Sequence, residues 1–351
     1  MSPAVDVAVP CYKYGKMLPT AVRSILDQEG VDVRVLVIDD SSGDGSADVA
    51  HRLAAEDDRV TVRVHEQNRG HIATFTEGAV EWPEAAYGLL ISADDALTPG
   101  ALARATALME AHPSVGLVYG NVKTFHDDEP LPPADIAADP NWAVHEGHTW
   151  LRRRLVHADN VVSTPTAVFR TAVQRAVGGY NPETYHTSDF EMWMRFALVA
   201  DIGFVGGVDQ GYIRVHGSNM SAPFEREDAG VRALPQRLAA LLSAVDHGRD
   251  TLPDAADLER RMRRTLAKEA LVLAGRSYDK GRVDERINAQ LVAFATEVVD
   301  DVTTLPQWRS LRVRQALGPR FAPALSPLVV TAAGRRVRQA WRDRRLRLEG
   351  V

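Results

Sequence analysis

Two adjacent carboxylates, Asp94 and Asp95, stand where an apolar run stops. Residues 87–91 have the composition of a buried strand. In an open α/β sheet, ligands bind in the crevice beyond the carboxyl ends of the strands, so a strand ending in two acids invites a hard cation that holds phosphate oxygens. Thr98-Pro-Gly then turns the chain into an amphipathic helix with Leu102, Ala105, Leu108 and Met109 on one face. Other acids occupy similar places. Asp39 and Asp40 follow the β-branched run 31–38 and open a polar, glycine-bearing loop that ends at Gly45. Asp189 lies in Ser188-Asp-Phe-Glu191, where Ser188 and Glu191 have the spacing of a capping box and Asp189 takes the first helical position. A carboxylate in a turn often only bonds its own backbone, so these groups gain meaning as a set.

The elements that would gather them follow in order. Residues 5–10 predict a strand, 11–15 a loop, and Leu18, Ala21, Val22, Ile25 and Leu26 the inner face of a helix. Residues 31–38 and 46–55 repeat the unit, 60–65 is a third strand, and Asn68-Arg-Gly-His71 leads into a helix bearing Ile72, Ala73, Phe75 and Ala79. Three or four alternations within about 110 residues predict an α/β fold with a mainly parallel sheet flanked by helices and its polar loops along one edge. A strand is expected over 115–125, an irregular proline-rich loop over 127–140, and a helix over 150–156. Pro165 makes 160–170 an extended segment near the cleft, not a central strand. Residues 210–215 form a strand, and a polar loop begins at His216. From about residue 225, helices separated by Pro253, Gly281 and Pro306 carry Leu and Ala stripes.

The 351 residues, 45% hydrophobic and 25% charged, match an ordinary globular protein of about two structural units. A net charge of -6 argues against a nucleic-acid partner, which calls for a basic surface. A single cysteine, Cys11, excludes an internal disulfide and fits a reducing compartment. With no basic-apolar leader at the amino terminus and no run of about 18 apolar residues, a cytoplasmic protein is expected. The segment 335–348 sets Val337, Trp341 and Leu348 on one helical face among seven arginines. That pattern suits peripheral contact with the inner face of an anionic membrane, or a solvated helix docked on its neighbours.

Six stretches occur in a recognisable order: Val-Pro-Cys-Tyr (9–12), Ile-Asp-Asp-Ser-Ser-Gly-Asp (38–44), Asn-Arg-Gly (68–70), Ser-Ala-Asp-Asp (92–95), Ser-Asp-Phe-Glu-Met-Trp (188–193) and Arg-Val-His (214–216). With them the chain resembles the family 2 glycosyltransferases of GT-A fold over about residues 4–222. The resemblance implies an inverting enzyme that uses a nucleotide-diphosphate sugar, preferably a UDP-sugar, with Mn2+ or Mg2+ and a hydroxyl acceptor on a glycan, a lipid-linked carrier or a small molecule. It implies nucleotide contacts for Pro10, Tyr12, Asp39, Asp40, Asn68, Arg69, Gly70 and Asp94. It also implies Asp95 as metal ligand, His216 at the metal or diphosphate, Arg214 at the diphosphate, and Asp189 as general base. Ser92 stands at the first acid of the commoner Asp-X-Asp pattern, Phe75-Thr76 where many members carry Arg-Asn, and Ser188 where Glu is frequent.

The expected organisation is a GT-A catalytic domain over 1–224, with its nucleotide-sugar half to about 125 and its acceptor half after it, and a helical extension over 225–351. Two other classes share parts of the pattern. A nucleotidyltransferase would want a glycine-rich phosphate loop after the first strand, which Lys13 and Gly15 match poorly. A non-catalytic relative would bind sugar nucleotide without metal-dependent turnover.

Overall fold

The computed structural model describes residues 2–126, 129–136, 140–220, 229–325 and 345–351. Its first compact unit comprises Met1–Leu151, Val161–Gly217 and Arg345–Val351, and its second Arg152–Asn160 and Ser218–Arg344. In chain order the first opens with β1 (Ala4–Cys11), α1 (Leu18–Leu26), β2 (Asp32–Asp39), α2 (Ser46–Glu56), β3 (Val60–Val64) and α3 (His71–Thr76), which a π-helical turn extends over Glu77–Glu81. Next come β4 (Tyr87–Leu90), β5 (Ala96–Leu97), α4 (Ala101–Ala111), β6 (Val115–His126), β7 (Asn141–His145) and α5 (Gly147–His157), of which the first unit holds only the part up to Leu151. The remainder is β8 (Val168–Arg170), α6 (Thr171–Val177), α7 (Ser188–Val199) and β9 (Asp201–Val215).

β1 has no polar face: every residue after Ala4 is buried. Burying a Val side chain contributes about 1.5–3 kcal/mol, so a run holding Val5, Val7 and Val9 is stable only when covered on both sides, as parallel strands are. The strands run in the order β3-β2-β1-β4-β8-β6-β9-β5, and β7 pairs with β9. β1 is parallel to β2 and β4, and β2 to β3. β8 is antiparallel to both β4 and β6, so β6 runs with β4, and β9 is parallel to β6. The carboxyl ends of β1, β2, β3, β4, β6 and β9 therefore face one edge.

The placement of β8 corrects one expectation. The segment after Pro165 forms a central strand, because Pro165 itself sits in a separate turn of 3-10 helix, Thr164–Thr166, and leaves Val168–Arg170 free to pair on both sides. β7 falls just after the stretch expected to be irregular and pairs with β9 through Asn141–His145.

Asp6 is the one acid buried inside β1, at 1% exposure. Its register partner Arg34 donates Nε and Nη2 to the two carboxylate oxygens at 2.8 and 2.7 Å, and the backbone N–H groups of Glu84 and Ala85 donate to Oδ2 at 2.6 and 2.8 Å. Burial alone would raise this carboxyl, but Arg34 and the two N–H groups outweigh it and hold it below its ordinary 3.8. A depressed carboxyl adds stability above that value and loses it as pH falls through its own lower one. Asp6→Asn is expected to cost about 2 kcal/mol at neutral pH, discounted because half of Arg34 is exposed. Denaturant titrations at pH 7 and pH 3 check this: the gap from wild type should shrink at pH 3, and an equal gap at both would show that the charge contributes nothing.

The second unit is helical, with α8 (Ala229–His247), α9 (Ala255–Asp279), α10 (Glu285–Glu297) and α11 (Pro306–Leu325), the last broken at Gly318 with φ 70. α9 buries Leu258, Met262, Leu266, Ala270 and Ala274 at a spacing of four, the stripe the sequence shows. Residues 152–160 belong to this unit because Arg152 forks onto Asp254 at 2.9–3.2 Å, Arg237 donates to Ala158 O, and Thr265 Oγ1 donates to Val156 O at 2.9 Å. The two units thus do not follow the single cut expected after residue 224.

Arg345–Val351 returns to the first unit. Asn121 and Asn141 donate to the carbonyls of Arg347 and Leu348, each at 3.0 Å, His145 Nε2 bonds Glu349 O at 2.7 Å, and Tyr119 donates its hydroxyl to Gly350 O. A Cβ on Gly350 would lie 2.5 Å from the Phe204 ring, so the backbone rests directly on that aromatic bed. Most of the expected basic helix, up to residue 344, lies outside the described residues, and 345–349 is one helical turn. Among the described residues no helix is long and apolar enough to cross a membrane.

Candidate active site

The loops after β1 and β2 are stitched together. Lys13 N–H donates to Ser42 Oγ and Gly15 N–H to Ser46 Oγ, each at 2.9 Å. A Cβ on Gly15 would come within 2.8 Å of the Ser46 Cα, so only glycine permits that approach. Lys13 and Ser41 adopt left-handed conformations, φ 63 and 59, which non-glycine residues hold only where the surroundings enforce them, typically at functional sites. Tyr12 stays 44% exposed beside them, with Lys13 Nζ 4.9 Å from its ring centre. Pro10 lies within β1 and its carbonyl accepts from Ala93 N–H, tying β1 to the acid turn after β4.

Asp39 and Asp40 are buried, and their oxygens already accept protein bonds. Asp39 takes the N–H and hydroxyl of Ser42 at 3.1 and 2.5 Å. Asp40 takes the N–H groups of Arg69 and Gly70 at 2.8 and 2.9 Å and meets His65 Nδ1 at 2.7 Å. Burial would raise the Asp40 carboxyl, but these donors leave it below its ordinary value. Asn68 donates to Asp40 O at 3.1 Å, and Gly70, with φ 80, starts α3. Within the structure Asp39 and Asp40 shape the rim on which Tyr12 and the 68–70 loop are presented.

The turn after β4 carries the acid pair. Asp94, 7% exposed, faces His216 Nε2 at 3.1 Å, and Tyr14 sets its ring edge-on to His216 at 5.3 Å. Arg214 donates its backbone N–H to Asp95 Oδ1 at 3.2 Å and its Nε to Asp94 O at 3.1 Å, while its guanidinium lies over Phe125 at 4.4 Å. The structure assigns Arg214 the holding of this turn. Burial, and then the Asp94 charge, push the Asp95 carboxyl well above its ordinary value; burial also raises Asp94, and the His216 bond offsets part of that. Two adjacent carboxylates, Asp94 buried and Asp95 half-buried, that oppose each other's ionisation are relieved by a cation, so this donor set fits a hard divalent ion. Among the described residues there is no closed group of three metal-ligating side chains.

Asp189 stands in the first turn of α7, on the same edge, because α7 runs back toward the start of β9. Thr164 Oγ1 donates to Asp189 Oδ2 at 3.3 Å, and Phe190 N–H to Oδ1 at 2.7 Å. The expected capping box does not form. Thr187 is the N-cap without a side-chain cap bond, and Ser188 is already helical. Glu191, fully buried, pairs with Arg195 at 2.8–3.0 Å, and Arg195 also donates to the carbonyls of Val177 and Gly179. The ion pair replaces the cap because α7 is covered on the Glu191 side, where a lone carboxylate would be costly. His71 Nε2 bonds Tyr185 O at 2.9 Å and joins the start of α3 to the loop before α7.

Sequence reasoning missed Tyr14, Thr164, His65 and Glu77. Tyr14 had a signal, since it is two residues from Tyr12 in one loop; the others act through tertiary contacts that no local pattern marks.

Residues 6–176 match the family model for Glycosyl transferase family 2. An uncharacterised protein of Mycobacterium tuberculosis (strain CDC 1551 / Oshkosh) is 30% identical over 222 residues, which cover 58% of this chain and 65% of that one. The chain spans 26% and 21% of the length of two further relatives. The fold is similar to that of S. aureus TarS in complex with UDP-GlcNAc, with a TM-score of 0.61 and 16% identity over 92% of this chain and 90% of that one. It is also similar to the mannosyltransferase PcManGT from Pyrobaculum calidifontis in complex with GDP-Man and Mn2+, with a TM-score of 0.51 and 16% identity over 93% and 88%. Residues 6–176 thus match glycosyltransferase family 2, and the mainly parallel sheet has the GT-A fold.

Proposed function

We propose that this glycosyltransferase inverts the anomeric centre of a nucleotide-diphosphate sugar, with UDP as the favoured nucleotide, and passes the sugar to a hydroxyl acceptor with Asp189 as base. The observation that carries the reading is that Tyr12, the Asp94–Asp95 turn and Asp189 hang from loops on one sheet edge. Two chains of contact tie the neighbouring segments: Tyr14 to His216 to Asp94, and Asp40 to the 68–70 loop to His71 to Tyr185, four residues before Asp189.

In this reading Tyr12 packs on the nucleobase, and Asn68, Arg69 and Gly70, set by Asp40, approach it from the side; Pro10 and Asp39 shape the floor. Asp94 serves the ribose. Asp95, together with His216, which stands against Asp94, would hold Mn2+ or Mg2+. Bound there, the metal supplies Lewis-acid stabilisation of the leaving diphosphate. An acceptor hydroxyl attacking the anomeric carbon must shed its proton, and Asp189 is the carboxylate on that edge with one oxygen steadied by Thr164 and the other by its own helix. The TarS complex with UDP-GlcNAc supports a UDP-sugar, and the PcManGT complex supports a metal.

Thermal unfolding with UDP-, GDP-, CDP- and ADP-sugars, each with and without Mn2+, tests the donor. A ligand at a hundred times its Kd stabilises the native state by about 2.7 kcal/mol, so one nucleotide class should raise Tm by several degrees, and only with metal. A flat response to every sugar nucleotide with Mn2+ present would sink the proposal.

A further inference from the structure

Beneath the 68–70 loop lies a charged cluster whose members Arg63, His65 and Glu77 no step above uses. Glu77, 2% exposed, opens the π-helical turn after α3. Arg63 Nη1 and Arg69 Nη1 donate to its two oxygens at 2.6 Å each, and His65 Nε2 faces Oε2 at 3.0 Å. The other ring nitrogen of His65 faces Asp40 Oδ1 at 2.7 Å, and Asp40 in turn receives the backbone N–H groups of Arg69 and Gly70. Glu77 thus reaches the loop by two routes, one through the Arg69 side chain and one through His65 and Asp40. His65, at 8% exposure, meets a carboxylate at each ring nitrogen.

Sinking several charges under a loop is a costly way to gain stability, and apolar packing would serve at least as well. What a satisfied polar network adds is a single geometry. A π turn widens the helix locally and is frequent at functional sites. We infer that Glu77 and His65 are positioning residues that fix the Asn68–Gly70 backbone against the nucleobase and so set which base the site accepts. The inference rests on the reading of that loop as the nucleobase end of the donor site.

The test is calorimetric titration of the full chain with UDP, CDP, GDP and ADP, Mn2+ being present throughout. Wild type is expected to prefer one of the four. Glu77→Gln should weaken that one at least tenfold and the other three by less than threefold, so that discrimination collapses. A ratio taken within one protein does not respond to a general loss of stability. His65→Asn puts an amide nitrogen where Nδ1 was and keeps the Asp40 bond, whereas His65→Gln puts one where Nε2 was and keeps the Glu77 bond. Each should lose part of the preference, and both stand in where Glu77→Gln does not fold. A folded variant that retains full discrimination overturns the inference, as does a wild type that binds all four equally. Should none of the four bind wild type with Mn2+, the nucleotide-donor reading is what fails.

Discussion

Asp189→Asn is expected to lower the transfer rate by two to four orders of magnitude while leaving nucleotide affinity within about twofold. A positioned carboxylate typically contributes that much, or about 3–5 kcal/mol of barrier. Asparagine keeps the shape, and its side-chain oxygen can still accept from Thr164 or from the Phe190 N–H. What it lacks is the capacity to take a proton from the attacking hydroxyl. Because Asp189 heads α7 and the residues proposed to bind nucleotide lie in other loops, binding and chemistry are expected to separate in this variant. Single-turnover rates, measured beside calorimetric titration of UDP, provide the check. A variant that keeps most of its turnover would place the base elsewhere, and one that loses nucleotide binding in proportion would show that Asp189 shapes the donor site instead.

Asp95→Asn should make metal-dependent UDP binding at least tenfold weaker, a change of about 1.4 kcal/mol or more, while thermal stability without ligand holds or rises. The opposed signs come from one cause. Burial and the neighbouring Asp94 already hold the Asp95 carboxyl well above its ordinary value, so the charge that serves a cation is a liability without one. The amide retains an oxygen for the Arg214 N–H and so spares the turn. Manganese titrations of the UDP complex and melting curves of the free protein measure the two halves, and an unchanged manganese dependence would remove Asp95 from the metal site.

The sheet edge was legible because parallel strands announce themselves as unbroken apolar runs. β1, β2 and β4 each end in a polar loop, and the acids in those loops could be placed on one edge from the alternation of elements alone. β8 escaped notice for the opposite reason: three residues carry no period, and their pairing with β4 and β6 is decided by partners far away in the chain. At α7 the capping spacing was correct as a pattern, but a buried arginine one turn on offered Glu191 a charged partner, which outweighs a single backbone bond. The return of Arg345–Val351 was hidden more completely. What the sheet unit binds there are main-chain carbonyls, which every sequence possesses and none displays.

That return has a consequence for the order of events during synthesis. A ribosome releases the chain from its amino end, and domains usually fold as they emerge. Here the bed formed by Tyr119 and Phe204 is made early, yet the residues that lie over it follow the whole of Ser218–Arg344. Until residues 345–351 leave the exit tunnel, the nascent sheet lacks their cover over its aromatic strip, the kind of surface that holdase chaperones recognise and that invites clumping when translation stalls within the helices.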